Sequence, residues 1–416
     1  MNCQIICVGT EILLGDIVNT NAAYLSKQLA ALGINVFYQT VVGDNRKRLE
    51  ECVKESLEKN DILLLTGGLG PTADDITKEV CAEVMGARLE KKEDQLERIK
   101  EYFSKKHIKM SSSNEKQAFL PEGADVLENE NGTAPGFALE KDGKIIICLP
   151  GPPREMKPMF DKKVKPILEK YSSSRLVSHS VRMIGIGESD MAQQAGELLD
   201  MANPSVAPYA KDGECLLRVT AKAENAEKAE ELCKETLEKI FKKFSNYIYG
   251  IDVKGIEYAV VEKLKEKNLK VSFAESCTGG LCAKRITDVP GASAVFECGV
   301  VSYSNEIKHK ILGVKSEDLE KYGAVSETVA RQMAHGVRRI SGADIGVSIT
   351  GIAGPDSDGT DKPVGLCYVA VDYDGGCECR EIRSARNDRD YNRITASSAA
   401  FDEIRKAINI IQRGEV

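Results

Sequence analysis

Asp61-Ile62-Leu63-Leu64-Leu65-Thr66-Gly67-Gly68-Leu69-Gly70-Pro71-Thr72-Ala73-Asp74-Asp75 reads as an apolar strand, Asp61–Thr66, running into a glycine-rich turn. A continuous apolar strand suits the middle of a parallel sheet, where helices cover both faces. The segments before it agree. Gln4–Val8 is an apolar strand ending at Gly9-Thr10-Glu11, and Asn21–Leu32 has the Ala/Leu spacing of a helix that stops at Gly33. Asn35–Val42 is a strand and Arg46–Lys59 a helix. This alternation predicts an α/β domain with its ligand site at the carboxyl ends of the strands.

The turn after Thr66 lies on that edge. Gly67, Gly68 and Gly70 let the backbone approach a ligand closely, and the start of the next helix favours an anion. Asp74 and Asp75 suit two roles, capping that helix or holding a divalent cation that bridges phosphates. No Lys-Ser or Lys-Thr follows, so the turn is not a Walker loop. Beyond it, Lys92–Lys106 is a charged, solvated helix and Ser111–Ala118 a loop entering a helix. Asn131–Phe137 and Leu149–Met156 are Gly/Pro turns, the second following the strand Lys144–Leu149.

At 416 residues the chain is too long for one core, and two or three domains are expected. Its 42% apolar and 29% charged residues are ordinary globular composition. The net charge of -7, with no long basic block, argues against a nucleic-acid partner. No apolar run reaches the roughly 20 residues of a membrane helix, and the N-terminus reads directly into a strand without a leader pattern. The thirteen cysteines are scattered; Cys7, Cys81, Cys148 and Cys367 sit in apolar surroundings as core residues. Cys377-Glu378-Cys379 lacks the second ligand pair a zinc site requires, and the four histidines form no H-E-x-x-H. A reduced, cytoplasmic protein is expected.

Tyr171-Ser172-Ser173-Ser174 marks a boundary, giving domains at residues 1–170, 171–252 and 253–416. The middle one, a small α+β unit, is read as strand Leu176–Ile186, helix Ser189–Met201, strand Leu216–Ala221 and helix Ala226–Phe244. It carries no recognisable chemistry and is read as a spacer or dimerisation element, with Gly250–Gly255 as the next linker. The third domain opens with a helix placing Ile256, Ala259, Val260 and Leu264 at helical spacing. An extended run, Leu269–Phe273, then enters Ala274-Glu275-Ser276-Cys277-Thr278-Gly279-Gly280 ahead of a helix, Leu281–Ile286. This strand-to-helix turn combines two hydroxyls and a thiol with free backbone N–H groups suited to an anionic oxygen. By spacing alone, Ser276 is a nucleophile or a helix cap, Cys277 the intrinsically better nucleophile or core filler, and Thr278 a phosphate ligand through its hydroxyl.

Val295–Ser302 is a strand leading into Ser302-Tyr303-Ser304-Asn305-Glu306-Ile307-Lys308. Ser326 caps a helix whose buried face is Val329, Met333, Val337 and Ile340. Ile345–Thr350 is a strand entering Thr350-Gly351-Ile352-Ala353-Gly354-Pro355-Asp356; Val364–Val371 is another, and Asp390–Ile411 a closing helix. The two T-G-x-x-G-P turns, at Thr66 and Thr350, reflect a shared demand for N–H groups around anions rather than duplication, since nothing else aligns.

Val8-Gly9-Thr10-Glu11-Ile12-Leu13-Leu14-Gly15-Asp16-Ile17-Val18-Asn19-Thr20-Asn21-Ala22 followed by Thr66–Asp75 resembles the opening of the CinA (competence/damage-inducible protein A) family. That domain is similar to the molybdopterin-binding MoaB/MogA proteins, which implies a three-layer α/β fold. The resemblance implies metal-dependent hydrolysis of ADP-ribose to AMP and ribose 5-phosphate. Glu11, Thr66, Gly67, Gly68, Gly70, Pro71 and Thr72 would bind the nucleotide, and Asp74 and Asp75 a divalent metal ion. MoaB-like domains commonly self-associate, so a homodimer is expected.

In the third domain, A-E-S-C-T-G-G, S-Y-S-N-E-I-K, A-V-S-E and T-G-I-A-G-P-D together resemble the nicotinamide-nucleotide amidase (PncC-type) domain of the same family. The resemblance implies an α/β amidase that converts nicotinamide mononucleotide to nicotinate mononucleotide and ammonia without a cofactor. Amide hydrolysis needs a nucleophile, a base and an oxyanion stabiliser. No histidine lies in these motifs, so Ser276 as nucleophile pairs with Lys308 as base, and Tyr303 relays a proton or orients Lys308. Cys277, Thr278, Gly279, Gly280, Asn305, Thr350, Gly351, Arg389 and Arg393 are the expected substrate contacts. Asn387 stands where the family has a glycine before Asp388-Arg389, and tolerates left-handed backbone angles. The competing reading is a non-catalytic nucleotide-binding or competence-associated adaptor protein.

Overall fold

The computed structural model describes residues 1–171, 174–357, 359–384 and 386–413; the boundary serines Ser172 and Ser173 lie outside the described residues. The chain divides into two compact units, residues 1–177 with 222–230 and residues 178–221 with 231–416.

The N-terminal domain contains β1 (Asn2–Val8), α1 (Thr10–Leu14), α2 (Thr20–Ala31), β2 (Asn35–Val42), α3 (Arg46–Lys59), β3 (Ile62–Thr66) and α4 (Thr77–Val84). Next come β4 (Leu89–Lys91), α5 (Glu93–Lys105), β5 (Phe119–Pro121), β6 (Asp125–Leu127), β7 (Gly136–Lys141), β8 (Lys144–Leu149), α6 (Pro153–Met159) and α7 (Lys165–Glu169). The main sheet has the order β2-β1-β3-β8-β7-β6, and β3 pairs in parallel with both β1 and β8. Its residues alternate between two cores. Ile62 and Leu64 join Ile5, Cys7, Ile145 and Ile147 against Leu25 and Leu29 of α2 and Met156 of α6. Leu63 and Leu65 join Ile6, Val8, Ile146 and Cys148 against Leu49 and Val53 of α3 and Val80 and Cys81 of α4. Each such side chain contributes roughly 1.5–3 kcal/mol on burial, so the continuous apolar strand demands helices on both faces. The result is the expected three-layer α/β domain.

The middle segment is a four-stranded sheet of order β10-β11-β9-β12, built from β9 (Arg175–Met183), β10 (Ser205–Lys211), β11 (Glu214–Ala223) and β12 (Ile248–Ile251), with helices α8 (Glu188–Ala195) and α9 (Ala226–Phe244). Two expectations need correction. The stretch read as a linker from Gly250 begins inside β12, which pairs with β9, and β10 was not anticipated. Pro204 and Pro208 obscure the strand signal around β10, but β10 lies at the sheet edge, where proline is tolerated.

The C-terminal domain contains α10 (Ile256–Glu266), β13 (Val271–Glu275), α11 (Leu281–Thr287), β14 (Phe296–Val301), α12 (Asn305–Leu312), α13 (Ser316–Tyr322) and α14 (Glu327–Ser341). It ends with β15 (Ile345–Gly351), β16 (Leu366–Tyr373), β17 (Gly376–Arg383) and α15 (Arg389–Arg413). The sheet order is β14-β13-β15-β16-β17; β13 runs parallel to β14 and β15, while β16 and β17 are antiparallel. One face packs Phe273, Val347 and Val369 against α10 and α15. On the other, Met333 and Val337 of α14 cover Ala274 together with Leu312 of α12. Ile340, expected in that buried face, is 44% exposed; it lies past the last turn of α14 that the sheet covers. Gly336 brings α14 against the end of α12 so closely that a Cβ there would run into the Leu312 carbonyl oxygen.

Candidate functional site

β13 and β14 end side by side, and the last parallel rungs bind Ser302 N–H to the Glu275 carbonyl at 2.8 Å. The turn after β13 and the helix after β14 therefore start at the same sheet edge. Ser304 caps α12 by accepting from the Ile307 N–H, and this fixes Lys308 one turn inside the helix. Its amine is 3.0 Å from Ser276 Oγ, 2.8 Å from the Ser302 carbonyl and 3.3 Å from the Tyr303 carbonyl. Lys308 is only 1% exposed, and burial pulls its amine down to about 8. A neutral amine has two N–H donors and one lone pair. The two carbonyls take the donors, so the lone pair is free to accept the Ser276 hydroxyl proton.

Ser276 does not cap α11, whose N-cap is Gly280. The N–H groups at the start of α11 go instead to an acid further back in the chain. Glu275 is 1% exposed and accepts the N–H groups of Gly280 at 3.0 Å, Cys282 at 3.1 Å and Ala283 at 2.9 Å. Gly279 N–H goes to the Ser276 carbonyl at 3.1 Å. Thus Gly279 and Gly280, expected to present N–H groups to substrate, have spent them inside the turn. Among the described residues the Thr278 N–H has no backbone acceptor, and the Cys277 N–H meets only its own sulfur. Gly280 adopts φ 93°, a left-handed angle that favours glycine. A buried acid followed by S-x-x-G-G was the available signal for Glu275, but an acidic residue at a strand end has many surface readings.

The other expected contacts separate into two groups. Cys277 is buried with its sulfur 4.0 Å from that of Cys367, and Thr278 is fully buried. Thr350 is also fully buried, its hydroxyl donating to the Ala324 carbonyl at 2.8 Å, so it ties the chain ahead of α14 to β15 instead of facing a ligand. Gly351 permits close antiparallel pairing, since a Cβ would sit 2.7 Å from the Leu366 carbonyl oxygen. The remaining residues rim the turn. Arg393 donates to the Thr278 carbonyl at 2.8 Å; Arg389 donates to the Gly354 carbonyl at 2.6 Å and meets the Tyr303 phenol at 3.4 Å. Tyr303 is 64% exposed and touches Lys308 through its carbonyl, while its phenol faces Arg389. Asn305 is exposed at the start of α12. Asp388 caps α15 through the Tyr391 N–H at 3.0 Å, and Asn387 is not among the residues at positive φ, so the turn does not use the left-handed angle expected of it. Asn392, also passed over, bridges the Ala353 and Arg386 carbonyls at 3.0 and 2.9 Å and holds α15 to the Thr350–Asp356 loop.

In the N-terminal domain, Glu11, Gly67, Gly68, Gly70 and Pro71 line a cleft of about 380 Å³ at the carboxyl ends of the strands, joined by Thr133, Gly151 and Pro152 from the two other Gly/Pro turns. Thr66 is buried and donates to the Pro150 carbonyl at 2.9 Å, clamping the β3 and β8 loops together. Neither aspartate caps α4, which has no side-chain cap. Instead the Asp75 carboxylate takes the Thr72 N–H at 2.9 Å and its hydroxyl, closing the turn. Asp74 is exposed, and a hydrogen bond from Thr72 lowers its carboxyl from the ordinary value. Asp44 and Glu155 add two carboxylates to the same cleft. These oxygen donors suit a hard divalent cation. Among the described residues, no three potential ligands converge as a ready cage. The set fits a cation held by one or two carboxylates together with substrate phosphates, the usual mode for Mg²⁺.

The fold and these two sheet-edge sites define a protein of three α/β-type modules, with a nucleotide-sized cleft in the N-terminal domain and a Ser/Lys pair in the C-terminal domain. The probable molybdopterin binding domain profile matches residues 4–170, the damage-inducible protein CinA KH domain residues 178–250, and the CinA C-terminal domain residues 253–408. A relative from Caldicellulosiruptor saccharolyticus, named as competence-damage inducible, is 50% identical over 98% of this chain and 99% of its own length. The CinA-like protein of Dictyoglomus thermophilum is 47% identical over the same shares. A crystal structure of the protein CinA with unknown function from Thermoplasma acidophilum is 37% identical over 40% of this chain and 99% of that one, with a TM-score of 0.38. The chain belongs to the CinA family. Its middle segment, expected from the sequence to be a spacer or dimerisation element, matches the family's KH domain; residues 178–250 contain no G-x-x-G, the loop by which KH modules clamp a nucleotide backbone. Among the described residues no helix is long and apolar enough to cross a membrane.

Proposed function

We propose that the C-terminal domain hydrolyses the carboxamide of nicotinamide mononucleotide, giving nicotinate mononucleotide and ammonia. The observation that carries this reading is the 3.0 Å contact between Ser276 Oγ and the buried amine of Lys308, held down to about 8. In the proposed reaction Lys308 accepts the Ser276 proton as Oγ attacks the carboxamide carbon. The N–H groups of Cys277 and Thr278 receive the developing oxyanion. Lys308 then returns the proton to the departing ammonia, and water, deprotonated by the same amine, releases the acid from the serine ester. Arg389 and Arg393 at the rim are suited to the substrate phosphate, an assignment that rests on charge and position. Purified protein incubated with nicotinamide mononucleotide should release ammonia, and Ser276→Ala should lower the rate by at least ~10³-fold. No release from the wild type would sink the reading; an active Ser276→Ala variant would move the nucleophile to Cys277.

We further propose metal-dependent hydrolysis of ADP-ribose in the N-terminal domain. A glycine turn and five carboxylates lining one cleft of about 380 Å³ support it. Asp74 and Glu11 would hold the cation beside the phosphates, where it would supply charge neutralisation. The binding-only alternative predicts nucleotide affinity with no turnover of either substrate.

A further inference from the structure

Glu275 lies one residue before Ser276, is 1% exposed, and spends its carboxylate on three backbone N–H groups of the very turn that presents the serine. We infer that Glu275 is a positioning residue for the Ser276–Lys308 pair: an internal carboxylate that fills the anion site of its own turn and so decides which N–H groups remain for the reaction. The inference rests on the amidase reading above.

A free strand-to-helix turn of this shape would draw an external anion to the first N–H groups of α11. Here those of Gly280, Cys282 and Ala283 are already taken by the two carboxyl oxygens of Glu275. Two consequences follow. The N–H groups of Cys277 and Thr278, immediately after the nucleophile, are left as the donors available to an oxyanion formed on Ser276. A substrate phosphate is excluded from the start of α11 and directed to the arginine rim, where Arg393 already touches the Thr278 carbonyl. The Glu275 carbonyl also accepts the Ser302 N–H at 2.8 Å. One residue therefore couples the nucleophile turn to the strand end that leads to Lys308. The backbone angles of the turn, φ 59° at Gly279 and 93° at Gly280, are those that bring the Gly280 N–H onto the carboxylate.

The test compares wild type, Glu275→Gln, Glu275→Gly and Glu275→Asp with nicotinamide mononucleotide, each checked for folding by circular dichroism. Inactive wild type would refute the amidase reading itself, and is thereby distinguished from failure of the Glu275 role. With active wild type, Glu275→Gln should lose about 100-fold in kcat with KM within threefold, since the oxyanion donors shift while the arginine rim stays. Added formate should restore at least tenfold of the activity of Glu275→Gly and leave wild type unchanged. Wild-type kcat in Glu275→Gln, a loss confined to KM, or a folded Glu275→Gly that formate does not rescue would each overturn the inference. If neither neutral variant folds, Glu275→Asp decides: its shorter carboxylate cannot reach all three N–H groups, and wild-type kcat in that variant would overturn the role.

Discussion

Lys308 and Ser276 stand 32 positions apart in the chain, yet the amine of one lies 3.0 Å from the hydroxyl of the other. The parallel pairing of β13 with β14 accounts for this. It aligns Glu275 with Val301, so the residues that follow each strand emerge together. Neither motif contains the site alone.

The lowered amine of Lys308 sets an expected pH profile. Only the neutral form accepts a proton, so kcat/KM for nicotinamide mononucleotide should rise about tenfold per pH unit below about 8 and level off above it. Stability should follow the same group. Between about 8 and the ordinary lysine value of 10.5, the unfolded chain binds a proton that the folded chain lacks, so stability increases with pH through this window. The increment is at most about 3 kcal/mol. Denaturant titrations of wild type and Lys308→Met across pH 7 to 11 check this, and identical slopes would refute it.

Thr350 is expected to matter for stability and not for substrate. Thr350→Val keeps the shape but removes the donor to the Ala324 carbonyl, at a cost of roughly 1–3 kcal/mol. KM for nicotinamide mononucleotide should stay within twofold. A severalfold rise in KM with unchanged thermal midpoint would return Thr350 to the substrate.

Gly336→Ala offers a test of the packing behind Lys308. In an exposed helix the change would stabilise by about 1 kcal/mol. Here the new Cβ meets the Leu312 carbonyl at the end of α12, so a net loss of about 1–3 kcal/mol is expected. Because α12 carries Lys308, turnover should fall as well. A raised melting temperature would contradict the close helix contact.

For the N-terminal cleft, chelator treatment should abolish ADP-ribose cleavage and Mg²⁺ restore it. Asp74→Ala should reduce turnover at least tenfold without unfolding the domain, because Asp74 is exposed. Asp75→Ala should instead lower thermal stability, since Asp75 closes the Thr72 turn. Chelator-insensitive cleavage would remove the metal from the proposal.

Much of the layering was legible because apolar patterning is a local consequence of burial on one face or two. Ile62–Leu65 announce helices on both sides of β3, and the observed α3 and α9 have the expected bounds. The short helix α1, with no buried residue, has no such pattern to read. The strands β10 and β17 escaped for a related reason: they are edge strands, where exposed and half-exposed residues blur the alternation.

The sequence by itself determined which residue types stand at the strand ends: hydroxyl, thiol and glycine after β13, and tyrosine, asparagine and lysine after β14. Tertiary structure decided what each one faces. Cys277 turns into the core, Thr278 and Thr350 are buried, and Glu275 occupies the turn's own anion site. Spacing along one strand or helix dictates direction within that element. Which donor meets which acceptor across elements depends on sheet register and on the depth to which each side chain is buried.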